Sequence, residues 1–125
     1  MDHVALVVES LDRSQAFYSE LLAIEPLNRV DMGDHRIQYL GSGTAVRLEL
    51  IEFMPSLEAD ATAGGRRIGM RHIAWEVSEL APVVARVESL GGSILTEATW
   101  VPRLGFHSAL IRDTDGIEVE LIHRP

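Results

Sequence analysis

The chain has 125 residues, of which 46% are hydrophobic and 24% charged, the length and composition of one globular domain with a sizeable core. Its net charge of −8 argues against a general affinity for nucleic acid or anionic membranes, and no apolar run approaches the ~20 residues of a membrane span, so we expect a cytoplasmic protein. The lack of cysteine excludes disulfides, thiolate metal sites and cysteine nucleophiles.

The first half of the chain, residues 1–54, has the pattern of a β-α-β-β-β module. Alternation of apolar and polar residues marks the strands, and an apolar stripe with a helical period marks the helix, whose candidate N-cap is Ser10. The predicted elements are, in order, a strand at 2–8, a helix from Ser10 to about Leu22, and strands at 27–31, 34–40 and 45–53.

Residues 55–68 have the composition of a linker, and the pattern then restarts in a second module over residues 69–125. Its predicted elements are a strand at 69–77, a helix from about Leu80 to Leu90, and strands at 93–99, 106–111 and 117–122, with a hairpin turn at 113–116. We therefore predict a single α+β domain over residues 1–125, in which two tandem βαβββ modules form a curved mixed sheet cup.

Four polar residues occupy matched positions in the two modules. His3 and His72 lie at the same place in the two opening strands, and Glu49 and Glu120 do so in the two closing strands once two inserted residues are allowed. Any one of them alone is more simply a solvated or packed side chain. Two imidazoles and two carboxylates together suit Zn²⁺, Ni²⁺, Co²⁺, Mn²⁺ or Fe²⁺, and an octahedral shell would keep two positions for water or substrate oxygens.

The motifs at these positions resemble those of the vicinal oxygen chelate superfamily, which includes glyoxalase I, methylmalonyl-CoA epimerase, extradiol dioxygenases, and fosfomycin- and bleomycin-resistance proteins. The resemblance covers nearly the whole chain. The segments that carry it are His3 with residues 10–14 and 17–18, then 47–50, 69–74, and 113–116 leading to 118–121.

The resemblance implies the glyoxalase/bleomycin resistance fold and one divalent metal ion held by His3, Glu49, His72 and Glu120. Glu118 is the less favoured last ligand, because the glutamate of the family lies four residues past the turn glycine. Four protein ligands favour a lyase, isomerase or epimerase of the glyoxalase I type, which moves a proton next to a carbonyl through a metal-bound enediolate. Glu120 is the first candidate for the catalytic base and Glu49 the second.

Two alternatives stay open at this point: a non-catalytic drug-binding or resistance protein, and an iron-dependent dioxygenase. The expected partners are a small-molecule substrate and a second copy of the chain, because a half-open cup leaves sheet edges that a homodimer could cover.

The positions that would contact the substrate differ in part from those of glyoxalase I. The family's glutathione-contacting arginine and asparagine fall on Val7 and Phe53 here, which suggests a different or less charged substrate. Arg67 matches a glutathione-contacting arginine of some members, and His107 lies on a strand of the second module. Arg67 and His107 are therefore the two predicted substrate-binding residues.

Overall fold

The computed structural model describes residues 1–42, 45–59, 66 and 68–125. They form two compact units, Met1–Glu58 and Ala59–Pro125, and each contains one four-stranded sheet. The boundary between the units falls inside residues 55–68. No helix in the described part of the chain is long and apolar enough to cross a membrane.

The first unit has the predicted β-α-β-β-β order. Its strand order is β1-β4-β3-β2, with β1 parallel to β4 and the other neighbours antiparallel. The elements are β1 His3–Val7, α1 Leu11–Leu22, β2 Glu25–Asp31, β3 His35–Gly41 and β4 Arg47–Phe53.

Helix α1 begins and ends where the sequence predicts. Ser10 is the N-cap, and its hydroxyl oxygen accepts a hydrogen bond of 3.2 Å from the backbone N–H of Arg13. Ala23 ends the helix in a left-handed conformation at φ 52°. The apolar side of α1 packs on β3 and β4 and forms a core in which each large side chain contributes about 1.5–3 kcal/mol of burial free energy. The buried side chains are Leu11, Phe17, Tyr18 and Leu21 of α1, and Leu40, Leu48 and Leu50 of the two strands.

A carboxylate of β4 fixes the start of α1. Glu52 accepts 2.8 Å hydrogen bonds from the backbone N–H of Leu11 and from the guanidinium of Arg36. The Leu11 N–H, and after it the Arg36 guanidinium, hold the pKa of Glu52 below its ordinary value of 4.5. The positive end of the helix dipole favours the same charged state. The contact therefore links the helix N-terminus to the sheet.

We expect Glu52→Gln to lower the free energy of unfolding by about 1–2 kcal/mol near neutral pH. Because the pKa is lowered on folding, the ionised carboxylate stabilises the fold above pH 4.5, and this contribution is lost as the pH falls through the folded-state pKa. Urea unfolding at several pH values measures the difference, which should shrink on acidification. Glu25→Gln, on the exposed strand β2, is the control. An equal loss of unfolding free energy in this variant would contradict the stabilising role assigned to Glu52.

The second unit repeats the order of the first, with strand order β5-β8-β7-β6 and β5 parallel to β8. Helix α2 packs on β6, β7 and β8, and the core of this sheet is aliphatic. The predicted α+β class and β-α-β-β-β order are confirmed. The elements are β5 Ile73–Glu76, α2 Leu80–Val84, a 3₁₀ helix at Glu88–Leu90, β6 Ser93–Val101, β7 Phe106–Arg112 and β8 Glu118–His123.

Two boundaries differ from the prediction by more than two residues. The helix predicted to reach Leu90 ends at Val84, and beyond it the N–H groups of Arg86 and Val87 bond to carbonyls three residues back, so the turns tighten. β-branched valines favour the α-helix less than Ala or Leu, which explains the early end. Strand β5 begins at Ile73 rather than at residue 69, so His72 directly precedes it.

Candidate functional site

The two sheets place their histidine and glutamate in the same register. Ala5 lies beside Glu49 in the β1–β4 ladder, and Ala74 lies beside Glu120 in the β5–β8 ladder. In each case the histidine stands two residues before the alanine. Because strand side chains alternate between faces, Glu49 points away from Leu48 and Leu50, which pack against α1. The repeat thus produces one His–Glu pair in each unit, on the face opposite the helix.

In the first pair, His3 Nε2 lies 2.8 Å from Glu49 Oε2. Glu49 is 7% exposed. The other ring nitrogen, Nδ1, lies 2.7 Å from Asp2 Oδ2, and Arg47 donates a 2.7 Å hydrogen bond to the same oxygen. The Arg47 guanidinium stands over the ring of Tyr39, 4.9 Å from its centre. The hydrogen bonds from His3 and then Arg47 hold the pKa of Asp2 below its ordinary value.

In the second pair, His72 Nε2 lies 3.2 Å from Glu120 Oε2. Ser108 donates a 2.7 Å hydrogen bond to the other carboxylate oxygen, Oε1. His72 Nδ1 is buried and has no hydrogen-bond partner in the described part of the chain. The Glu120 side chain is 21% exposed against 9% for that of Glu49, so the second pair is the longer and the more open one.

The neighbouring carboxylate, Glu118, has different partners. It forms ion pairs with Arg71 and, at 3.6 Å, with Arg112. The carboxylate that faces His72 is Glu120, the residue that the family motif favours. Glu118 is instead neutralised by two guanidinium groups.

The chemistry of the first pair suits a cation. A neutral imidazole carries one N–H, yet both ring nitrogens of His3 face carboxylate oxygens at hydrogen-bond distance. When Asp2 accepts the Nδ1–H, Nε2 and Glu49 Oε2 turn lone pairs toward each other. A divalent metal ion would satisfy both atoms, and the same donor types recur at His72 and Glu120. The residues therefore fit a metal ion.

Each pair supplies two ligands, and among the described residues neither unit by itself contains three His, Asp or Glu side chains that could hold a metal ion. A four-ligand site therefore needs both pairs. Their union in one site remains a prediction.

The predicted substrate contacts are placed as follows. Arg67 lies outside the described residues. His107 pairs with His123 across β7 and β8, and in this register it lies on the sheet face opposite Glu120, with its ring 5.0 Å from that of Trp100. That placement does not favour a role for His107 beside Glu120. Val7, by contrast, shares the face of His3 and is 49% exposed.

Sequence analysis missed the side chains that surround the pairs, namely Asp2, Tyr39, Arg47 and Ser108. Adjacency to His3 was a signal for Asp2. The hairpin turn at 113–116 was a signal for Ser108, because it pairs Ser108 with Ile122, two residues beyond Glu120 on the same face.

The model of the Glyoxalase/Bleomycin resistance protein/Dioxygenase superfamily matches residues 1–121. A lactoylglutathione lyase of Neisseria meningitidis is 27% identical over 124 residues, which cover 98% of this chain and 88% of that protein. The lactoylglutathione lyase of Salmonella typhimurium is 29% identical over 122 residues, 96% of this chain and 89% of that one.

Solved structures agree with these relatives. The trypanothione-dependent glyoxalase I of Leishmania major has a TM-score of 0.76 at 29% identity, with 98% of this chain and 85% of that chain covered. Glyoxalase I of Zea mays has a TM-score of 0.83 at 27% identity; the match covers 99% of this chain but only 44% of the maize chain. These comparisons support a glyoxalase I-like enzyme and do not favour the drug-binding or dioxygenase alternatives.

Proposed function

Because the chain belongs to the Glyoxalase/Bleomycin resistance protein/Dioxygenase superfamily, we propose that it is a divalent-metal-dependent lyase or isomerase that moves a proton next to a carbonyl group. The observation that carries the proposal is the pair of matched His–Glu contacts, His3 with Glu49 and His72 with Glu120. Buried or half-buried carboxylates that face imidazoles repeat in both units, as a shared function of the two copies would require.

The four residues would hold one metal ion, with two imidazole nitrogens and two carboxylate oxygens. A bound divalent ion supplies Lewis acidity, which polarises a carbonyl oxygen and makes the neighbouring C–H more acidic. Zn²⁺, Ni²⁺, Co²⁺, Mn²⁺ and Fe²⁺ all accept these donors. These donor atoms do not select one of the five ions.

We assign the proton transfer to Glu120. Ser108 donates to its Oε1, so Oε2, which faces His72, is the oxygen that would both face the metal ion and take a proton from the substrate carbon, and the His72 contact to Oε2 is the longer of the two His–Glu distances. A base must also be reachable, and Glu120 is more exposed than Glu49. Glu49, buried against His3, is the second candidate and suits a fixed ligand.

We infer the substrate class from the relatives' names and from the apolar residues on the face that carries His3 and Glu49. Lactoylglutathione is the thioester of a 2-hydroxy acid, and moving one proton between its two adjacent carbons and one between their two oxygens relates it to the hemithioacetal of a 2-oxoaldehyde. In this chain the exposed Val7 lies on the face of His3, and Phe53 contacts the ring of His35 at 5.2 Å. These apolar side chains favour a thiol portion less charged than glutathione.

A homodimer and a cytoplasmic location stay predictions. The two His–Glu pairs of one site can come from one chain or from two, and both arrangements use the same four residues.

The test is conversion of two hemithioacetals of methylglyoxal, one formed with glutathione and one with 2-mercaptoethanol. We expect the metal-loaded protein to convert both, with kcat/KM for the neutral adduct at least equal to that for glutathione, and chelation to abolish both. Proton NMR in D₂O follows the migrating proton. No conversion of either adduct with any of the five metals would contradict the enzyme proposal and favour a binding protein. A strong preference for glutathione would contradict only the substrate class.

A further inference from the structure

The two histidines of the site differ in what supports them. The Nδ1 atom of His3 contacts Asp2 at 2.7 Å, and Asp2 in turn accepts a hydrogen bond from Arg47. The residue before His72 is Arg71, which pairs with Glu118, and His72 Nδ1 has no hydrogen-bond partner within the described ranges. The duplicated fold thus provides an internal comparison: one copy has a carboxylate behind its histidine and the other does not.

Arg47 anchors the carboxylate of Asp2, and Tyr39 packs against Arg47. The side chain of Asp2 is 67% exposed, so the His3 contact alone would leave it free to rotate into solvent. The Arg47 guanidinium donates a hydrogen bond to Asp2 and lies over the Tyr39 ring. The Tyr39 ring also makes an edge-on contact with the His3 ring, and the two ring centres are 5.9 Å apart. The four side chains form one connected group on the face that carries Glu49.

We propose that Asp2, anchored by Arg47, is a positioning residue that fixes the ring orientation and tautomer of His3 for metal binding. The inference rests on the proposed metal-dependent function. By accepting the Nδ1–H, Asp2 leaves the Nε2 lone pair directed at the position beside Glu49. Without Asp2, the half-exposed ring of His3 has two tautomers and more rotational freedom, and both lower its affinity for a metal ion. Loss of such a partner weakens metal affinity by about 10- to 100-fold.

The chain offers a matched control. Asp34 contacts Nδ1 of the following residue, His35, at 2.6 Å, the same arrangement as Asp2 and His3. His35 belongs to neither His–Glu pair. Asp2→Ala and Asp34→Ala therefore remove the same kind of contact and the same charge, one at a proposed ligand and one elsewhere on the same sheet.

The experiment is a zinc competition titration with a chromophoric chelator on the full chain. We expect Asp2→Ala to raise the zinc Kd by about 10- to 100-fold and Asp34→Ala to leave it within about twofold of the wild-type value. Asp2→Asn should recover most of the affinity, because its amide oxygen still accepts the Nδ1–H. Equal effects of the two alanine variants, or no effect of Asp2→Ala, would overturn the proposal.

A second measurement needs no metal. Long-range ¹H–¹⁵N spectra of metal-free protein report which imidazole nitrogen carries the proton, and a Glu49→Ala background removes the competing carboxylate at Nε2. In this background we expect His3 to be protonated at Nδ1, also with Asp34→Ala added, and to lose that preference when Asp2→Ala is added. Absence of the preference while Asp2 is present would overturn the positioning role. Failure of the wild type to bind zinc, with this preference intact in the Glu49→Ala background, would instead count against the proposed function.

Discussion

Glu120→Gln should lower kcat by about 10²–10⁴-fold, the usual contribution of a positioned general base. The glutamine keeps an oxygen that can accept the Ser108 hydroxyl proton, so the local geometry should survive. What it cannot do is take a proton from carbon at neutral pH. The loss should therefore appear in kcat more than in KM, and some metal binding should remain, because the amide oxygen can still act as a ligand.

The control for this variant is Glu118→Gln, two residues away on the same strand and face. Glu118 pairs with Arg71 and Arg112 and not with a histidine. We expect its activity to stay within severalfold of the wild type, with thermal unfolding recorded to separate any loss of stability. If Glu120→Gln retained most of its activity while Glu49→Gln lost it, the roles of the two carboxylates would be reversed.

His72→Ala should remove both metal and activity. It deletes one of the four proposed ligands and leaves Glu120 facing an empty space. The loss of metal affinity should therefore exceed the roughly 10- to 100-fold that follows when a ligand only loses its hydrogen-bond partner. His107→Gln is the control, because His107 lies in the same sheet but on the opposite face. Zinc binding and hemithioacetal conversion are measured on both variants, and equal losses would argue for a general effect on the second unit.

Matched positions in the repeat made the four residues predictable. In each unit the first and last strands pair in parallel, so residues at matched sequence positions take the same register. The pairing of Ala5 with Glu49 therefore predicts the pairing of Ala74 with Glu120. Helix α1 was predictable for local reasons, since Ser10 caps it and its apolar stripe has a helical period.

Three other features depend on tertiary packing, which the pattern of apolar and polar residues does not specify. The early end of α2 reflects a small balance between valine propensity and tertiary packing. The face of His107 was ambiguous because β7 is apolar on both sides, so alternation gives no orientation. The Asp2–Arg47 contact joins residues far apart in sequence and depends on the reach of a long side chain.

The most direct test of the central claim is the metal-to-chain ratio of the wild type, His3→Ala and His72→Ala, measured side by side by elemental analysis after loading and desalting. One site that uses both His–Glu pairs predicts about one ion per chain in the wild type and loss of stoichiometric metal in both variants, although the changes lie in different units. Retention of metal by either variant, two ions per wild-type chain, or no metal in the wild type would contradict it.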